Sequence, residues 1–179
     1  MSEELVFTVD PQTLREVYPD PDAVQARIGV LRTEIRDAPD EIGELLARGE
    51  LVDLLRACGP LDEALDEARA AADRAEIAGT AAQQHVARLR LARVHEWRGD
   101  FGESNLEFTE LLAAARQFGQ VIEAFTHQHA GENDYDQGHW ADALEHFAQA
   151  LAVREQLELD EAETSRIAVA AARQRKEQP

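Results

Sequence analysis

Apolar residues in this chain recur at the three- and four-residue spacing of an amphipathic helix, in stripes separated by regular breaks. Leu61, Ala64, Leu65, Ala68, Ala71 and Ala72 form one stripe. Phe101, Ser104, Phe108, Leu111 and Leu112 form a second, and Trp140, Ala143, Leu144, Phe147, Ala150 and Leu151 a third. The breaks fall at Pro19, Pro39, Gly59, Gly79, Gly99, Gly119 and Gly138, spaced 20 residues apart except for a last interval of 19. Glycine ends a helix because it accepts left-handed backbone, and proline cannot continue one. The pattern predicts eight helices, near 21–37, 39–57, 60–77, 80–98, 100–117, 120–137, 139–157 and 160–176, with a short extra turn at 11–17. Start signals agree: Asp20 before Pro21 is an N-cap and first-turn pair, Thr80-Ala-Ala-Gln83 has the form of a capping box, and Pro39 and Pro60 suit first turns. "ELVFTV" at 4–9 is the only strand-like run, read as an extended or disordered arm.

Short loops between helices of similar length make consecutive helices antiparallel neighbours. Two helices in every ~40 residues suggest a stacked repeat. The expected fold is therefore all-α, a solenoid of antiparallel helix hairpins. Its expected organisation is an arm at 1–19 with the short extra turn, one helical repeat domain at 20–176, and a tail at 177–179.

Composition narrows the chemistry. The chain has 179 residues, of which 44% are hydrophobic and 6% aromatic, enough for a core built mostly of Ala and Leu. A formal net charge of −18 opposes binding to nucleic acid or an anionic membrane and favours a basic partner, if any. Cys58 is the only cysteine, which excludes an intrachain disulfide and a cysteine-based zinc site. No N-terminal run reads as a signal peptide, and no stretch approaches the ~20 apolar residues of a membrane helix. The expected location is cytoplasmic.

Aligned on Gly59, Gly99 and Gly138, the segments "GPLDEALDEARAA", "GDFGESNLEFTELL" and "GHWADALEHFAQAL" share a pattern. An apolar or aromatic residue stands two after the glycine (Leu61, Phe101, Trp140), a small one five after (Ala64, Ser104, Ala143), and a core one nine after (Ala68, Phe108, Phe147). Upstream lie Leu51-Val52, Leu91-Ala92 and Ala130-Gly131. This resembles the tetratricopeptide repeat, in an extended form of about 40 residues. The resemblance covers three repeats, near 39–78, 79–118 and 119–158, with 160–176 as a capping helix and 21–37 as an orphan second helix. The usual proline at the repeat's end is absent, and the first repeat is aliphatic where aromatics are usual.

The resemblance implies a concave groove lined by the first helix of each repeat. Carried over by position, repeat one offers Leu46, Gly49, Asp53, Arg56 and Ala57, and repeat two offers Val86, Leu89, Arg93, Glu96 and Trp97. Repeat three offers Phe125, Gln128, Glu132, Tyr135 and Asp136. Trp97, Phe125 and Tyr135 would anchor apolar side chains, Arg93 would meet a partner carboxylate, and Asp53, Glu132 and Asp136 would meet basic groups. The clamp of chaperone-binding members needs Lys and Asn where Asp53, Arg93 and Glu132 stand, so that partner class is not implied. The expected function is a non-catalytic protein- or peptide-binding scaffold that needs no cofactor.

Two alternatives come from other features. The ends of the array would pair into a homodimer, or "THQHAGENDYDQGHW" at 126–140 would bind a metal or small molecule in a helical protein. Helical spacing argues against the latter. His127 and His129 diverge by ~200°, leaving His129, Glu132 or Asn133, and Asp136 on one side. "HEWRG" at 95–99 lacks the second histidine of a zinc-protease motif, and "GDFG" at 99–102 reads as a repeat turn. Cys58, expected half-packed beside its turn, has no assigned base. Arg88, Arg90, Arg93 and Arg98 form a local basic cluster, read mostly as surface partners for Asp and Glu.

Overall fold

The structure, a computed structural model, describes residues 5–177; Glu4 of the strand-like run, the start of the arm and the tail residues 178–179 lie outside the described residues. Among the described residues the fold is all-α apart from two short strands, β1 (Thr8–Val9) and β2 (Glu16–Val17), paired with each other. The helices are α1 (Pro21–Arg36), α2 (Glu41–Cys58), α3 (Leu61–Ala78), α4 (Ala81–Arg98), α5 (Phe101–Ala115), α6 (Gln120–Asp136), α7 (Trp140–Gln156) and α8 (Ala162–Glu177). Each expected helix is present, with ends displaced by a few residues.

Local chemistry sets those ends. Asp20 caps α1 by accepting from the Ala23 amide at 2.9 Å, and Asp40 caps α2 by accepting from Gly43 at 2.7 Å, so α2 starts after Pro39 rather than on it. Thr80 and Gln83 form a reciprocal box: the Thr80 amide donates to Gln83 Oε1 at 2.8 Å and the Gln83 amide to Thr80 Oγ1 at 3.3 Å. Gly99, Gly119 and Gly138 hold φ of 78°, 99° and 79°, a region that penalises any Cβ. A short 3₁₀ turn, Arg116–Phe118, finishes α5 before Gly119.

The chain divides into two compact units. The first comprises residues 5–8 and Glu16–Arg98. In it α1 packs on α2, α2 on α3, α3 on α4, and α2 also meets α4. Its core joins Val24, Ile28 and Leu31 to Leu51, Val52 and Leu55, with Ala64, Ala68 and Val94 completing it. The second comprises Val9–Arg15 and residues from Gly99 onward. In it α5 packs on α6, α6 on α7, α7 on α8, and α6 also meets α8. Tyr135, Ala143, Phe147, Ala168 and Ala172 form its centre, together with Leu14. A Cβ on Gly131 would lie 2.6 Å from Phe147 Cε1, so α6 and α7 approach more closely there than any larger residue allows. Of the three repeat segments, 39–78 and 119–158 each fall inside one unit, whereas α4 and α5 of 79–118 belong to different units.

The extra turn expected at 11–17 takes another form. Residues 11–13 make a turn, and the chain then returns as β2 instead of continuing as helix. Asp10 is the cause: its Oδ1 accepts from the amides of Gln12 at 2.8 Å and Thr13 at 2.9 Å, and its own amide donates to the Arg15 carbonyl at 3.0 Å. The arm is therefore an extended, folded-back hairpin. Leu14 closes it in left-handed backbone, φ 58°, an uncommon conformation for a leucine.

Candidate functional site

Of the places that the repeat resemblance assigns to a groove, Leu46 is open surface at 67% exposure and most of the others are not. Arg56, Leu89, Arg93, Gln128, Glu132 and Tyr135 are buried. Asp53, Trp97, Phe125 and Asp136 are half-buried. Segments of the arm account for much of this cover, and each unit shows it in its own way.

In the first unit, Arg56 on α2 and Arg93 on α4 converge on Glu16 of β2. Arg56 donates from Nη1 to Glu16 Oε2 at 2.9 Å and from Nη2 to Oε1 at 3.0 Å, a two-pronged pair. Arg93 adds Nη2 to Oε1 at 3.2 Å. The Arg56 guanidinium stacks over Trp97, 4.5 Å from the ring centroid. Asp53 lies 3.9 Å from Arg56 Nη2 and accepts from Arg90 at 2.9 Å. The side chains of Arg56, Arg93 and Glu16 are only 2%, 7% and 15% exposed, so all three charges sit largely out of water. Burial opposes ionisation of Glu16, but Arg93 and Arg56 outweigh it and hold the carboxyl far below the usual carboxylate range. Tyr18 and Leu5 pack against the core beside this pair, and Phe7 stacks on Tyr18 at 5.6 Å. Burial, reinforced by Glu16, pushes the Tyr18 hydroxyl up to about 12.

In the second unit, the α6 positions divide between an internal network and the arm. Arg154 of α7 is 1% exposed; it donates to Gln128 Oε1 at 3.2 Å, to Ser165 Oγ at 2.8 Å and to the Glu161 carbonyl at 3.2 Å. It also lies 4.7 Å over the Phe125 ring. Gln128 donates to Glu132 at 3.0 Å, and Glu132 meets His129 at 2.9 Å. Gln128 thus joins α6 to Arg154 of α7 and Ser165 of α8, Phe125 lies against Arg154, and Glu132 extends the network along α6. Tyr135 and Asp136 face the arm: the Tyr135 hydroxyl donates to the Gln12 carbonyl at 3.0 Å, and Arg15 pairs with Asp136 at 2.8 Å. Burial raises the Asp136 carboxyl, with Arg15 opposing it.

The histidine-rich stretch resolves differently from its appearance in the sequence. His127 and His129 do diverge, but His127 meets His146 of α7, Nδ1 to Nδ1 at 3.0 Å. Asp134 stands 3.7 Å from both His146 and His139. Burial first, then His146, lowers the His127 pKa. Among the described residues, no group of three or more His, Cys, Asp or Glu side chains is arranged to hold a metal ion. Cys58 is exposed, not half-packed, and the burial it retains, with Glu16, raises its thiol pKa, the opposite of an activated nucleophile. Arg90 and Arg98 of the basic cluster pair with Asp53 and Asp62. No helix of the described residues is long and apolar enough to cross a membrane.

Glu16, Arg15, Leu14 and Gln12 of the arm, and Arg154 and Ser165, were not among the residues singled out from the sequence. A periodic reading has no way to weigh them, since the arm has no period and a lone arginine on a second helix reads as surface. No family model matches the chain, and no curated protein matches it.

Proposed function

We propose that the protein is a non-catalytic, protein-binding helix-hairpin scaffold, each unit of which receives extended polypeptide against its own helices. The observation that carries this reading is made in each unit separately: residues 16–18 lie against α2 and α4 of the first, and residues 12–15 against α6 of the second. Non-helical chain is held there by side-chain ion pairs and apolar contacts, at positions such as Arg56, Arg93 and Tyr135. Rigid helices presenting arginine and an aromatic ring to an extended segment are well suited to peptide recognition, because little ordering is required of the receptor. The proposed partner is a protein, in the cytoplasm. Nothing about the reading requires a cofactor.

The test compares partners captured by the intact protein and by its Trp97→Ala variant, with circular dichroism establishing that the variant is folded. Trp97 supports Arg56 from beneath and is half-buried, so its loss weakens the receiving face without opening the core. Loss of a reproducible partner supports the reading, and an unchanged set of partners overturns it.

A further inference from the structure

The scaffold reading says that polypeptide is bound; the arm says which chemistry the first unit selects. We propose that Arg56, Arg93 and Trp97 form a receptor for one side-chain carboxylate of an extended peptide, and that Glu16 occupies it in cis as a displaceable internal ligand. This rests on the scaffold reading above.

Three observations carry the proposal. The first is charge. In a chain of net charge −18, two guanidinium groups from different helices point at one spot, and the group between them is a carboxylate on the arm. Asp53 stands farther off, 3.9 Å from Arg56, so Glu16 is the carboxylate in direct contact with both guanidinium groups at a largely buried spot, where a lost contact is costly. The second is shape. Arg56 grips both carboxylate oxygens, Arg93 takes a second bond to one of them, and the Trp97 ring centroid lies 4.5 Å from the Arg56 guanidinium carbon, which is a geometry for carboxylate rather than for a general negative surface. The third is the incomplete apolar cover of the arm around Glu16. Val6, Phe7 and Val17 are 73%, 44% and 48% exposed, while Leu14, two residues before Glu16, is kept in left-handed backbone. Leu5 and Tyr18 pack on the core of the first unit, but Val6, Phe7 and Val17 leave much of the apolar surface around Glu16 unburied, so its carboxylate is a principal fastening there. A trans peptide offering the same carboxylate with better apolar contacts and no such backbone would replace it.

The probe is a fluorescent synthetic peptide of residues 5–18, used with the full-length chain and read by anisotropy. The intact protein is expected to bind it weakly, because its own arm competes. The Glu16→Gln chain is expected to bind it at least tenfold more tightly. A second probe with glutamine at the place of the glutamate is expected to lose at least tenfold on the same variant. Equal binding of both probes, or no gain in Glu16→Gln, overturns the proposal. If Glu16→Gln does not fold, hydrogen exchange on the unmodified protein decides instead. The glutamate probe at millimolar concentration must speed exchange of the amides at 15–17 while the glutamine probe does not, and equal effects reject the proposal. These outcomes are separable from the scaffold reading: equal probes with a Trp97-dependent partner leave the scaffold and remove only the carboxylate receptor.

Discussion

Gly29 and Gly131 are both helical glycines, and their neighbourhoods assign them opposite roles. A Cβ on Gly29 meets nothing within 4 Å, whereas one on Gly131 would strike Phe147 at 2.6 Å and the Ala143 carbonyl at 3.2 Å. Gly29→Ala is expected to stabilise the protein by about 0.5–1 kcal/mol through helix propensity alone. Gly131→Ala is expected to destabilise it by about 2 kcal/mol, because the ring of Phe147, itself fully buried, has no room to retreat. Urea denaturation of both variants checks the pair, and similar midpoints would refute the close approach of α6 and α7. Arg154 makes the same point for a charge. It cannot reach water, and Gln128 and Ser165 depend on it, so Arg154→Ala combines a cavity with orphaned polar groups and is expected to cost about 3 kcal/mol. Its removal is expected to loosen α8 first, seen as accelerated amide exchange across Ala162–Glu177.

Helix ends respond to a different set of forces. Thr80→Ala removes one side of the box that starts α4 and is expected to cost about 1 kcal/mol in thermal or urea unfolding, with Gln83→Ala costing less because it leaves the hydroxyl bond in place. The starts of α1 and α4 were legible in the sequence because they depend on residues three apart, Asp20 with Ala23 and Thr80 with Gln83, whereas the Asp40 cap of α2 was passed over for Pro39. The apolar stripes were legible for the same reason. Even so, the regular glycines conceal two mechanisms. Gly99, Gly119 and Gly138 need positive φ, while Gly79 has φ −84° and is small because a Cβ would press on the Ala75 carbonyl at 2.7 Å. The arm was not legible. Its position depends on Glu16 finding Arg56 forty residues away and Arg15 finding Asp136 across 121 residues, pairings that no local period encodes. His127 meeting His146 is of the same kind, since register within one helix says nothing about which ring the next helix brings alongside.

At the scale of the molecule, the charges respond to pH in two separate windows. Glu16 has its pKa held down by Arg93 and Arg56 against the effect of burial, so the stability it contributes is complete above the ordinary carboxyl value of 4.5 and is lost only as pH falls below it. The Glu16 contact of the docked arm is therefore expected to be insensitive to pH between 5 and 8. His127 behaves oppositely. Burial and the adjacent His146 lower its pKa from 6.5, and Glu123 and Glu145 only partly offset them; Asp134 and His139 are the other titratable groups beside this pair. The unfolded chain consequently binds a proton more readily than the folded one, and stability falls as pH drops through 6.5, levelling off below the lowered folded value. His85 on α4, likewise buried and lowered, adds to the same trend. Protonating histidines also relieves self-repulsion in a chain of net charge −18, which acts in the other direction, so the raw pH dependence of the melting temperature mixes two effects. The difference between the protein and His127→Gln isolates the local one. The variant cannot take up the proton and is expected to lose less stability than the parent between pH 7.5 and 5.5. The gap should persist in 0.5 M salt, where long-range repulsion is screened but a contact between ring nitrogens 3.0 Å apart is not. Parallel curves for the two proteins would show that the His127–His146 contact does not govern acid sensitivity.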